Sequence, residues 1–159
     1  MNQSPTVVRE FLIRHLAEVF STMLTLPAVP LAETSSDHPQ ERVSGAVSFV
    51  GETVTGSVYL HLPAAFAAHI AGTMLGMAAE EVPGDAEIND VIGEVTNMLA
   101  GGLKSWLCDT GAACALTTPA IIRGTSFQIM ASEGVTQIQF GFASGAHRGA
   151  VEVHIKFTN

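Results

Sequence analysis

Basic residues are scarce in this chain: seven Lys and Arg stand against fifteen Asp and Glu, a formal net charge of −8. No Lys/Arg cluster interrupts that acidic excess, so phosphate backbones and anionic headgroups are repelled, and nucleic acid is excluded as a partner. Long apolar runs are missing as well. None approaches the roughly 20 residues that cross a bilayer, so no membrane insertion is expected. Arg9 and Glu10 break the first apolar stretch, which lacks the pattern of a secretory signal, and a cytoplasmic location is the expectation.

There are only two cysteines. Cys108 and Cys114 lie six positions apart, with neither Cys-x-x-Cys spacing nor a pair of histidines beside them, and are expected to be buried free thiols. His15, His61, His69 and His154 do not share the spacing of a zinc-binding helix, so no metal site is expected on this chain. Neither Ser126 nor Cys114 has an identifiable base or a nucleophile-elbow context, which argues against a covalent hydrolase.

What is present suits one domain over residues 1–159. From Pro5 to Leu26, Val8, Phe11, Leu12, Leu16, Val19, Phe20 and Met23 recur at three- and four-residue steps, predicting a helix capped by Ser4. Pro27 to Gln40 carries three prolines with Thr34, Ser35, Ser36 and Asp37, and reads as an irregular connection. Alternation over 43–49 and 54–62, turning at Gly51 and Glu52, predicts a hairpin. Pro63 opens a short Ala-rich helix ending near Gly76, and Asp85 is the expected N-cap of a longer one. Period two returns at Phe127, Ile129 and Ala131, at Ile138, Phe140 and Phe142, and at Val151, Val153, Ile155 and Phe157, predicting three more strands. The order implies an α+β fold, a two-layer domain with a largely antiparallel β-sheet and its helices packed on one face.

The chemistry concentrates on the long helix. Ile88, Val91, Ile92, Val95, Leu99, Leu103 and Trp106 make its apolar stripe. At about 100° per residue, Asp90, Glu94, Asn97, Gly101 and Lys104 share the opposite side, with Glu94 and Asn97 one turn apart. Gly93, Gly101 and Gly102 each cost a helix interior up to about 1 kcal/mol relative to Ala, so each needs a reason. Close packing against the sheet accounts for Gly93 and Gly102, and close approach of a partner accounts for Gly101.

The segment Asn89-Asp90-Val91-Ile92-Gly93-Glu94-Val95-Thr96-Asn97-Met98-Leu99-Ala100-Gly101 resembles the signature helix of the CheC/CheX/FliY family of bacterial chemotaxis phosphatases. That resemblance implies a phosphatase acting on the aspartyl phosphate of a phosphorylated CheY-like response regulator. Glu94 would dock on the receiver's lysine and Asn97 would orient the attacking water, with Asp90, Gly101 and Lys104 touching the partner. It implies positioning catalysis, with no cofactor bound by this chain and Mg²⁺ supplied in the receiver's active site. The first helix offers Glu18-Val19-Phe20-Ser21 where the third has Glu94-Val95-Thr96-Asn97, an echo of internal pseudo-two-fold duplication. Ser21 lacks a carboxamide, so one active site is expected, as in the CheX branch, together with that branch's homodimer. A competing expectation is a non-catalytic binding or scaffold module on the same fold.

Overall fold

The computed structural model describes residues 4–32 and 40–158. Helix α1 (Pro5–Val19) begins as its sequence requires: the Ser4 hydroxyl accepts from the Val7 amide at 3.4 Å, and Pro5 occupies the first turn. The chain then widens into a π turn, Phe20–Leu24, and stops at Thr25 in the left-handed region. The wider turn inserts a residue into the helical repeat, so Leu24 is buried and Met23, expected on the apolar face, is 48% exposed.

Strand β1 (Val29–Pro30) lies in the connection expected to be irregular; the part of that connection at 33–39, with Thr34, Ser35, Ser36 and Asp37, is outside the described residues. The predicted hairpin follows as β2 (Arg42–Gly51) and β3 (Val54–Pro63). Helix α2 (Ala64–Leu75) ends on Gly76 at φ 71°, and a 3₁₀ turn, Ala79–Glu81, leads to α3 (Asp85–Asp109). The rest of the chain forms β4 (Cys114–Leu116), β5 (Ala120–Gly124), β6 (Thr136–Ser144) and β7 (His147–Phe157).

The seven strands form one antiparallel sheet in the order β1-β6-β7-β3-β2-β4, with β5 also paired to β2. The three helices cover one face. The order is nearly symmetric about the central β3–β7 pair: β6 and β2 flank it, β1 sits outside β6, and β4 with β5 sit outside β2. Helix α1 packs on β6 as α3 packs on β2. This is the pseudo-two-fold arrangement expected from the echo between the helices. The shared core takes Leu12, Leu16 and Phe20 from α1, Val43 and Val47 from β2, and Phe140 and Phe142 from β6.

Three expectations need correction. Phe127–Ala131 is not a strand. Its alternation is real, since Phe127, Ile129 and Ala131 are half-buried while Gln128 and Met130 are exposed, but it arises because the segment lies against the outer face of the sheet without joining the ladder. The Arg42 guanidinium holds it there, donating to the Phe127 carbonyl at 2.8 Å and lying 4.0 Å over the Phe127 ring. The edge of β2 is filled instead by β4 and β5, two short strands on either side of Thr117–Pro119, which the period-two reading did not find. Asp85 is the first residue of α3 and not its N-cap, which is Gly84 without a side-chain cap; the Asp85 carboxylate lies 3.6 Å from Arg123. Trp106 is half-buried where α3 meets α1, stacked on Phe11 at 5.4 Å, and not deep in the core.

Candidate functional site

Helix α3 presents two chemically different faces. Val91, Ile92, Val95, Thr96, Leu99, Ala100, Leu103 and Leu107 are buried. The packing is close because β2 has Gly45 directly beneath Thr96: a Cβ at that glycine would overlap the threonine hydroxyl and crowd the Ile92 carbonyl. The Thr96 hydroxyl donates back to that carbonyl at 2.7 Å, so a polar group is buried without loss of a hydrogen bond.

Two further contacts fix the helix along its length. At its N-terminal half, Arg123 of β5 donates to the Asn89 amide oxygen at 2.8 Å and lies 3.5 Å from Glu41. In its C-terminal half, His15 of α1 lies 3.1 Å from the Met98 carbonyl and fills the space over Gly102, where any side chain would overlap the imidazole. The close approach explaining Gly102 is thus to α1 and not to the sheet. A Cβ on Gly93 would meet only Pro119, at 3.4 Å, so the sheet does not explain that glycine either.

The outward face carries the predicted site residues. Glu94 and Asp90 are exposed, and Asn97, Gly101 and Lys104 are half-buried. Among the described residues, neither the Glu94 carboxylate nor the Asn97 amide forms a hydrogen bond. A Cβ on Gly101 would meet nothing within 4 Å, so the glycine leaves open space next to the pair. This is a free anion and a free carboxamide one turn apart on a rigid helix. The carboxamide can both donate and accept, which suits it to hold a water, and the carboxylate is available to a cation.

The corresponding stretch of α1 is built differently. Glu18 is exposed, but the helix passes into the π turn between Glu18 and Ser21, so the two do not retain the regular one-turn relation of Glu94 and Asn97.

Cys108 is exposed on the last turn of α3 and Cys114 is half-buried; both are free, so the expectation of two buried thiols is corrected for Cys108. Burial and the nearby Cys108 thiol push the Cys114 thiol up, and Lys104 only partly draws it back, so it is not an activated nucleophile.

One constellation was not legible in the sequence. On the sheet's outer face the Ser44 hydroxyl lies 2.7 Å from His61 Nδ1, and His61 Nε2 lies 2.9 Å from Glu152. The pattern is that of a Ser-His-acid triad, but Ser44 is wholly buried and no substrate can reach its oxygen. The three residues come from β2, β3 and β7, and only strand register brings them together.

The sequence profile of the family described as chemotaxis phosphatase CheX matches residues 43–143. No curated protein sequence matches the chain. Among solved structures it is similar to the chemotaxis protein CheX from Vibrio vulnificus, at 26% identity and a TM-score of 0.81 over 98% of this chain and 100% of that one. A CheC-like superfamily protein from Shewanella sp. PV-4 is similar at 26% identity and a TM-score of 0.80, over 98% and 99% of the two chains. The fold is also that of the CheX in a CheX–CheY–BeF3–Mg complex from Borrelia burgdorferi, at 21% identity and a TM-score of 0.71 over 92% and 96%.

Proposed function

Because this chain belongs to the CheX family of chemotaxis phosphatases, we propose that it hydrolyses the aspartyl phosphate of a CheY-type receiver domain. The observation that carries this reading is the Glu94–Asn97 pair, unbonded among the described residues and beside the open space at Gly101. The Borrelia burgdorferi complex, in which a protein of this fold is bound to CheY, supports the choice of partner.

On this reading Glu94 pairs with a lysine of the receiver, and Asp90 and Lys104 meet its surface at either end of the motif. Asn97 enters the receiver's active site and holds a water in line with the phosphorus. Water oxygen bonds to phosphorus as the bond to the aspartyl oxygen breaks, releasing inorganic phosphate and a free carboxylate. Magnesium, held by the receiver, neutralises charge developing on the phosphoryl oxygens. The reaction takes place in the cytoplasm, where receiver domains work.

The test is the lifetime of phosphorylated receivers from the same organism, measured against increasing concentrations of this protein. Catalytic shortening of at least one lifetime is expected. If every lifetime is unchanged while a receiver still binds, the protein is a docking module and the enzyme reading fails. A homodimer is proposed with it, supported by the family resemblance and by sheet edges at β1 and at β4 with β5 that each have a single strand partner among the described residues. Sedimentation showing only monomer at micromolar concentration overturns that part alone.

A further inference from the structure

The outer face of the sheet, opposite α3, encloses a cavity of about 340 Å³ between the strands and the segment 127–131. Its volume is in the range of sites that take small organic ligands. Among the described residues, the charged or ionisable side chains that line it are Arg42, His61 and Glu152.

Two of them are already committed. The Glu152 carboxylate accepts from His61 at 2.9 Å, from His154 at 2.5 Å and from the Gln137 amide at 2.8 Å. His61 has Glu152 on one ring nitrogen and Ser44 on the other. Arg42 is different. One of its donors goes to the Phe127 carbonyl, while its Nε–H is buried with no partner among the described residues. A buried, unpaired donor on a charged group is costly, and native proteins nearly always supply it with an acceptor. Burial lowers the Arg42 pKa and Glu152 only partly restores it, consistent with a cation short of a counter-charge.

The rest of the lining narrows the ligand. Phe127, Ile129, Met130 and Pro63 supply apolar lining, the Phe127 ring lies directly against the Arg42 guanidinium, and Met130 is 78% exposed. Glu152 stands close enough to Arg42 to act on its charge, and its own negative charge opposes a dianion about twice as strongly as a single negative charge, which favours the monoanion. A carboxylate matches the planar guanidinium, and an apolar body matches the side chains of the 127–131 segment beside it.

We propose that this cavity is a second binding site of the protein, which takes a small monocarboxylate with an apolar body, its carboxylate on Arg42 and its body against Phe127 and Met130. The site shares no residue with the motif face of α3 and does not depend on the phosphatase reading.

The test uses the full chain, labelled with ¹⁵N, titrated with phenylacetate, with the neutral isostere phenylacetamide and with inorganic phosphate. Phenylacetate is expected to give saturable shifts at the amides of 127–131 and at the Arg42 Nε–H. Phenylacetamide should bind at least about tenfold more weakly, as loss of a charge-assisted hydrogen bond requires, and phosphate should bind no better than the amide. Arg42→Gln should lose at least about tenfold for phenylacetate. Met130→Glu, at an exposed position outside the ladder, should do the same with the fold unchanged, which keeps the test decisive should Arg42→Gln not fold. The proposal is overturned if phenylacetate gives no saturable shift, if the amide binds as well as the acid, or if the folded variants bind like wild type. It is also overturned if the amides of 127–131 are protected only in a dimer, which would assign this face to a second copy of the chain.

Discussion

Along β7, Val151, Val153 and Ile155 face the helices while Glu152 and His154 face the other way, and all five are buried. On the helix side burial is achieved by apolar volume: Phe20, Phe66 and Phe142 meet edge to face or tilted at 5.4 to 6.4 Å, and the gain scales with the area removed from water. On the outer side it is achieved by saturating polar groups. Glu152 collects three donors, and Tyr59 stacks on His61 at 6.0 Å and meets His154 edge-on at 5.3 Å. Period-two patterning therefore separates two faces without saying which of them is wet. Each face tolerates damage according to how it is filled.

The largest expected effect is on the helix side. Phe142→Ala should cost about 4 kcal/mol, since it removes a wholly buried ring and leaves a cavity among rings that cannot all collapse into it. Urea denaturation measures this, and a loss under about 1 kcal/mol would mean that the aromatic cluster is not packed as described.

On the polar side Glu152→Ala should cost about 3 kcal/mol by stranding His61, His154 and Gln137. Its pH dependence distinguishes it from an apolar lesion. Burial alone would raise the Glu152 pKa, but the hydrogen bonds and charges of His61 and His154 outweigh it and hold the carboxyl below its ordinary value. A carboxyl depressed on folding stabilises the native state above its unfolded pKa, near 4.3, and that contribution disappears as pH falls through the lower folded value. The stability gap between wild type and Glu152→Gln should therefore shrink as pH falls below about 4. A gap independent of pH down to 2 would exclude this account.

Gly45→Ala should cost about 2 kcal/mol, because its Cβ can be accommodated only if α3 lifts from β2 at Thr96. The same displacement moves Asn97, so receiver dephosphorylation should fall more than global stability explains. An Ala variant that is both stable and fully active would show that the contact is not tight.

Asn97→Ala should change stability least, by under about 0.5 kcal/mol, because a half-buried helix position without a hydrogen bond among the described residues accepts Ala readily. Its effect on rate should be about 10² to 10³, the usual loss when a group acting in the transition state is removed. Glu18→Ala on α1 should alter neither quantity. Loss of activity in that folded variant would mean that the π turn has not disabled the second position.

Secondary structure with strong local causes was legible from residue order: Ser4 before Pro5, Gly76 after an Ala-rich helix, and apolar residues every second position in β2, β3, β6 and β7. The Glu94–Asn97 face was legible for the same reason, since a helical turn is a local geometry that spacing encodes. The π turn, the broken edge strand β4–β5 and the course of 127–131 were not, because each depends on what lies against it. Phe127–Ala131 has a strand's alternation, but β2 already has β4 and β5 along that edge, so the segment lies over the sheet. The Ser44–His61–Glu152–His154 network, the Gly45–Thr96 contact and the Arg42 cavity exist only through register between strands or packing between layers. Sequence by itself determined the three helices, the motif face among them, and strands β2, β3, β6 and β7, because their causes lie within a few residues. Only tertiary structure decided how that helix is seated and that the sheet's polar face is buried, because the deciding contacts join residues far apart in the chain: His15 and Met98 are 83 positions apart, and His61 and Glu152 are 91 apart.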